Sequence, residues 1–301
     1  MGNLRLRGTF TAIVTPFRDD RGSTVDEEAL DAIVDAQIEG GVQGIVPCGT
    51  TGESPTLSDD EQRDVIARVV ARTKGRVAVL AGTGSNATHE AVARSVAAER
   101  AGADAVMVVV PYYNKPSQAG LERHFVTVAK AVSCPVVVYN IPGRSVVDLS
   151  SDTLARICDA APNVVGVKEA TGNVLRAQDL VRRFGSRLDV LSGDDALTLA
   201  MMAVGATGVI SVTSNVLPRA VAEVVNLALE GRFDVARTKN ARLLPVHEAM
   251  FVDANPGPAK FALARRGILQ NVLRAPMTTL SEAHGRVVAI ALDAFERGAE
   301  R

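Results

Sequence analysis

No apolar run in this 301-residue sequence reaches the ~18 to 20 residues that a membrane-spanning helix needs. The apolar segments are about five to ten residues long and are repeatedly broken by glycine, proline or charge. The N-terminal "MGNLRLRGTF" also lacks the longer apolar core of a secretory signal, so a cytoplasmic protein is expected. Neither sign of charge is in excess. The 33 Lys and Arg are interspersed with 34 Asp and Glu, which leaves no basic stripe for nucleic acid and no acidic tail for a charged partner. Cysteine is scarce and odd in number: Cys48, Cys134 and Cys158 lack CxxC spacing, which argues against a disulfide framework or a zinc site and for a reducing compartment. The four histidines, at 89, 124, 247 and 284, show neither HExxH nor facial-triad spacing, so no catalytic metal is expected. Neither G-x-G-x-x-G nor a P-loop occurs, and "AGTGSNAT" (81–88) has the wrong spacing for a nucleotide fingerprint.

What the chain does have is a period. Eight short β-branched runs recur, each ending in polar or glycine-rich residues: 10–16, 44–53, 77–84, 105–114, 136–144, 164–172, 189–195 and 208–215. They are continuous rather than alternating, which suits parallel strands covered on both faces. Amphipathic, alanine-rich segments lie between them. Thr24 with Glu27, and Ser58 with Glu61, have capping-box spacing, and glycine or proline marks several helix ends. The strand spacing is roughly 25 to 34 residues for most of the chain, the length of one strand–helix unit. Eight such units favour a closed (β/α)₈ barrel over an open doubly wound sheet, which would want a nucleotide fingerprint. The barrel is expected over 1–230. The segments 233–249, 258–269 and 280–298 exceed one closing helix and predict a helical extension over 231–301.

In such a barrel the residues that follow each strand line the catalytic mouth. The lysine of "VVGVKEATG" (164–172) stands at the end of a buried strand. Removed from water there, the ammonium of Lys168 loses hydration and its pKa falls, and a neutral amine can attack a carbonyl to form a Schiff base. The competing reading is a lysine paired with adjacent Glu169, yet neighbours on a strand point to opposite faces. "CGTTGE" (48–53) offers two hydroxyls in a glycine-flanked turn able to hold a carboxylate, or an ordinary loop. Tyr139 ends another strand and is either a proton carrier or packing. Arg144, after "IPG", suits a bidentate carboxylate contact or simply a solvated surface. "PYYNKP" (111–116) places Tyr113 at the mouth or in a subunit contact. Asp194 and Asp195 are expected to cap the helix that follows them.

Taken together, "GTTGE", "PYYNKP", "YNIPGR" and "GVKEATG", in this order and spacing, resemble the pyruvate-dependent class I aldolase family typified by dihydrodipicolinate synthase and N-acetylneuraminate lyase. The resemblance covers essentially the whole chain, including "NPGPAK" (255–260). Arg144 points to the synthase branch, where the matching residue binds the carboxylate of aspartate semialdehyde. The resemblance implies that Lys168 forms the imine with pyruvate and that no other cofactor is needed. It further implies that Tyr139 carries the proton, and that Thr50 and Tyr113 complete a relay, with Tyr113 reaching in from a neighbouring subunit of a homotetramer. Thr51 would hold the pyruvate carboxylate, and Gly193 and Ile210 would line the pocket. Asn86, Glu90 and Tyr112 match the lysine-binding pattern of feedback-inhibited members, whereas Asp59 and Gln62 depart from it. Two alternatives stay open: an aldolase of the same family acting on a 2-keto-3-deoxy sugar acid or related keto acid, and a non-catalytic sensor barrel.

Overall fold

The computed structural model describes residues 5–18 and 24–298. Eight parallel strands close on themselves in sequence order. They are β1 (Gly8–Ala12), β2 (Gly44–Val46), β3 (Ala78–Gly82), β4 (Ala105–Val109), β5 (Val136–Asn140), β6 (Val164–Glu169), β7 (Asp189–Ser192) and β8 (Gly208–Ser211). Helices α1 (Glu27–Glu39), α2 (Asp59–Thr73), α3 (Thr88–Arg100) and α4 (Gln118–Ala131) follow the first four strands. A one-turn helix α5 (Pro142–Ser145) precedes α6 (Ser151–Ala160), and α7 (Val174–Phe184), α8 (Thr198–Ala203) and α9 (Pro218–Leu229) complete the ring. Beyond it come α10 (Phe233–Ala249), α11 (Gly257–Arg265) and α12 (Glu282–Arg297). This is the (β/α)₈ barrel with additional C-terminal helices that the sequence period predicts.

Most strands are buried and largely apolar on both faces, for different reasons. Val106, Val138, Val167, Val190 and Val209 point outward into the large core shared with the helices. Phe10, Leu80, Met107, Val137, Leu191 and Ile210 point inward and fill the barrel itself. The alternation is therefore between two kinds of burial, which is why it is invisible as a hydropathy pattern. The seam between β1 and β8 is tight: Gly8 pairs with Gly208, and a Cβ on Gly208, whose φ is +157°, would meet the Gly8 carbonyl oxygen at 2.0 Å.

The helix caps follow short-range chemistry, with two departures from expectation. Ser58 and Glu61 form the predicted capping box of α2. The start of α1 is instead capped by Asp26, whose carboxylate accepts from the Ala29 N–H at 3.2 Å; the Thr24–Glu27 spacing is not the box that starts this helix. The first strand also begins at Gly8, before the expected run, and ends at Ala12, because its pairing with β8 starts at the Gly8–Gly208 seam.

Candidate active site

Strands β5 and β6 pair with Tyr139 opposite Lys168, and strand alternation sends both side chains into the mouth of the barrel. The Lys168 Nζ lies 4.2 Å from the centre of the Tyr139 ring. Glu169, the next residue, points outward. It accepts from the Arg176 Nε at 2.8 Å and the Thr171 N–H at 2.8 Å, so it is committed elsewhere and does not neutralise Lys168. Lys168 is only 5% exposed. Burial pushes its pKa down to about 8; the Asp195 carboxylate opposes that fall and the Arg144 guanidinium adds to it. Roughly one molecule in ten then carries a neutral amine at pH 7, against fewer than about one in a thousand for an ordinary lysine.

Tyr139 is affected in the opposite sense. Burial raises its phenol to about 12, while Arg144 and a hydrogen bond with the Thr50 hydroxyl pull it back. The phenol is therefore protonated at neutral pH, beside the amine, and already joined to a second hydroxyl. Thr50 and Thr51 sit in a tight turn in which Cys48 and Glu53 have φ of 55° and 54°. The Gly52 N–H donates to the Gly49 carbonyl at 3.0 Å and the Glu53 N–H to the Thr50 carbonyl at 3.1 Å. Thr51 is buried, and its Oγ1 accepts from the Asn255 Nδ2 at 3.0 Å.

Gly193 directly follows β7, and Ile210 lies near the end of β8. The Gly193 N–H donates to the Glu169 carbonyl at 2.8 Å. A Cβ on Gly193 would meet the Ala170 Cβ at 2.6 Å and the Lys168 Cε at 3.2 Å, so the neighbouring strand end leaves no room for a side chain there. Ile210 is buried in the inward-facing cluster that also holds Tyr139 and Leu191. The assembled chemistry is a desolvated amine, a protonated phenol and a hydroxyl-bearing turn around one opening. Among the described residues, no group of three or more His, Cys, Asp or Glu could hold a metal ion, and no helix is long and apolar enough to cross a membrane.

The model of the Dihydrodipicolinate synthetase family matches residues 5–295. The 4-hydroxy-tetrahydrodipicolinate synthase of Sorangium cellulosum (strain So ce56) is 57% identical over 296 residues, 98% of each chain. Among solved structures, the 4-hydroxy-tetrahydrodipicolinate synthase of Methylacidiphilum fumariolicum SolV superposes with a TM-score of 0.95 at 42% identity, covering 97% of each chain. The chloride-inhibited dihydrodipicolinate synthase of Acinetobacter baumannii, solved with pyruvate, has a TM-score of 0.94 at 41% identity, covering 97% of this chain and 99% of its own. The chain belongs to the dihydrodipicolinate synthetase family.

Not every residue singled out from the family resemblance is brought into this pocket by a single chain. Arg144 lies on α5 with an exposed side chain, close enough for its charge to act on both Lys168 and Tyr139. Tyr113 is 86% exposed with φ of 74°, and it makes no hydrogen bond to Thr50 or Tyr139 of its own chain. Asn86 accepts through its carbonyl from the Asn114 Nδ2 at 2.8 Å, which ties the turn after β3 to the one after β4 that carries Tyr112. Glu90 accepts from the Ser85 hydroxyl at 2.7 Å and lies 3.6 Å from Arg94, which also binds Asp59 at 2.8 Å.

Two residues of the site were assigned no such place from sequence. Asp195 is not a helix cap: α8 begins at Thr198 without a side-chain cap, and only Asp194 bonds locally, to the Ala196 N–H at 3.0 Å. Asp195 is buried and accepts from the Ser211 hydroxyl at 2.5 Å, the Val212 N–H at 2.8 Å and the Thr213 N–H at 3.0 Å, so it builds the turn after β8 next to Lys168. An acid before a helix reads as a cap unless the return of β8 is known. Asn255 lay within a motif that carried the family likeness but suggested no contact with Thr51.

The Asp195 charge favours protonated Lys168, so its removal should lower the lysine pKa further. Asp195→Asn is expected to move the acid limb of the kcat/KM pH profile for pyruvate to lower pH. An unmoved or upward-moved limb would show that Asp195 does not act on the amine.

Proposed function

We propose that this pocket condenses pyruvate with L-aspartate 4-semialdehyde, the reaction of a 4-hydroxy-tetrahydrodipicolinate synthase, through an imine on Lys168. The observation that carries the reading is the desolvated Lys168 amine in register with the protonated Tyr139 phenol. The Nζ lone pair attacks C2 of pyruvate, Tyr139 gives a proton to the departing oxygen, and water leaves as the imine forms. The cationic imine makes the methyl group acidic. Loss of a C3 proton gives an enamine, whose C3 attacks the aldehyde carbon while the aldehyde oxygen takes up a proton. The amine of the semialdehyde then adds to the imine carbon, Lys168 departs as a free amine, and a six-membered ring closes. Every step moves a proton, which suits a phenol joined to a hydroxyl relay in a site sheltered from bulk water.

In this reading Thr51 holds the pyruvate carboxylate, Gly193 and Ile210 shape its pocket, and Arg144 receives the carboxylate of the second substrate. No cofactor beyond the lysine itself enters the chemistry. Tyr113 serves the site of a neighbouring copy, in a homotetramer, and its solvent-facing phenol on a left-handed backbone is available for that role. Arg144 also separates the synthase from a relative acting on sugar-derived keto acids.

Cyanoborohydride with pyruvate should fix the substrate to Lys168, located by mass mapping; labelling at another position would contradict the reading. Arg144→Ala should raise KM for aspartate semialdehyde about 100-fold, the worth of a lost charge-assisted contact. At pH 9, above the lysine pKa, the same variant should leave trapping of pyruvate intact. Undiminished activity with the semialdehyde would point instead to the sugar-acid branch.

The Tyr113 assignment predicts that Tyr113→Phe and Lys168→Ala, each nearly inactive, regain activity when refolded as a mixture, because some sites then combine both native residues. No recovery would place Tyr113 outside the relay. Glu90 is already engaged by Ser85 and Arg94, and Asp59 by Arg94, so a free lysine would have to compete with Arg94 for either carboxylate. Millimolar lysine should leave the initial rate unchanged. A rate halved by lysine would show that Asn86, Glu90 and Tyr112 retain a regulatory function.

A further inference from the structure

The C-terminal helices reach the active-site turn through buried contacts. Glu53, the last residue of "GTTGE", is buried on a left-handed backbone. Its Oε1 lies 2.5 Å from the Nζ of Lys260 on α11, itself fully buried, and its Oε2 accepts from the Arg274 N–H at 3.0 Å. The Lys260 ammonium also donates to the Val272 carbonyl at 2.8 Å and sits 4.1 Å over the Phe17 ring. Two residues earlier in the turn, the Thr51 hydroxyl meets Asn255, which is 6% exposed in the loop between α10 and α11. A segment more than 200 positions away in the chain thus fixes the turn at two points.

The contact to Thr51 has a direction. With the amide oriented so that Nδ2 faces Thr51 and the buried Oδ1 has no partner, Nδ2 can only donate, so the Thr51 oxygen accepts from it and its own proton is free to be given elsewhere. Among the described residues no acceptor takes that proton. A hydroxyl that must accept on one side and donate on the other is the arrangement that suits an anionic ligand, because the lone pairs are turned away from the negative charge.

We propose that Asn255 is a positioning residue: by donating to the Thr51 oxygen it aims the Thr51 proton at the carboxylate of pyruvate. Asn255 touches neither substrate nor the reacting atoms. This rests on the carboxylate-binding role given to Thr51 above. The contact is made equally before and during reaction, so its loss weakens keto-acid capture and leaves turnover nearly unchanged. Asn255→Asp reverses the direction of the bond: the carboxylate only accepts, takes the Thr51 proton and turns its lone pairs toward the substrate.

The test is the concentration dependence of cyanoborohydride trapping at Lys168, with pyruvate and with methyl pyruvate, which has the same ketone but no carboxylate charge. Asn255→Ala should raise the half-saturating pyruvate concentration about tenfold, the worth of one hydrogen bond, and Asn255→Asp should raise it more. Methyl pyruvate should stay within about twofold for Asn255→Ala, and kcat at saturating pyruvate should be nearly unchanged. In a Thr51→Val background the Asn255→Ala effect should vanish. Should Asn255→Ala fail to fold, Asn255→Asp, which keeps the side-chain shape, carries the same comparison. Pyruvate half-saturation unchanged in both variants, equal shifts for the two ketones, or a full effect without Thr51 would overturn the proposal. Trapping in the unsubstituted enzyme at a residue other than Lys168, or no effect of Thr51→Val alone, would remove the carboxylate site itself and with it the role of Asn255.

Discussion

The withdrawal of one ammonium group from water governs this molecule. Lys168 lies at the mouth of a barrel whose interior is otherwise Phe10, Leu80, Met107, Val137, Leu191 and Ile210. Nearby charge relieves it only in part: Glu169 faces the helices and is paired with Arg176, while Asp195, which favours the ammonium, also binds Ser211, Val212 and Thr213. Holding the lysine at about 8 rather than its ordinary 10.5 costs about 3 kcal/mol of folding stability. The sign follows from proton binding: between those two values the unfolded chain holds the proton that the folded chain has lost. The cost is therefore present in full below about pH 8 and disappears as pH rises through the unfolded value. The barrel tolerates this because its hydrophobic core is large, and the chemistry gains a nucleophile that an ordinary surface lysine could not provide.

The second constraint is the turn that carries Thr50 and Thr51. It joins a strand to a helix, as seven other turns of the barrel do, yet it holds two residues in left-handed backbone and buries a glutamate. Glu53, Lys260, Arg274 and Phe17 form a charged cluster between barrel and extension, with Arg274 stacked 4.3 Å over the same ring and bound to Glu61 of the α2 capping box. Breaking one member of such a buried cluster strands the others, so the extension and the turn hold or fail together. The additional helices are thereby part of how the site is shaped.

The fold was largely legible because its signal is repetitive. Continuous valine-rich runs at near-constant spacing have one economical solution, and Val138 or Val190 need no further information to be buried. Lys168 stood out for the same reason, as a charge where the pattern demands an apolar residue. Long-range polar pairing was not legible. Asp195 has the local signature of a helix cap, and only the return of β8 gives it three better donors. Asn255 meets Thr51 across more than 200 positions, and nothing in either neighbourhood announces the other. Asp26 displaced Thr24 as the α1 cap by a two-residue shift that spacing alone could not distinguish.

The most direct measurement is a titration of the Lys168 side chain itself, followed by NMR of protein carrying ¹³C at the lysine ε-carbons and assigned by difference from Lys168→Met. The midpoint is expected at about 8, well below the bulk of the solvent-exposed lysines. A midpoint at the ordinary lysine value, near 10.5, would mean that the amine is solvated or paired, and burial would no longer explain its reactivity.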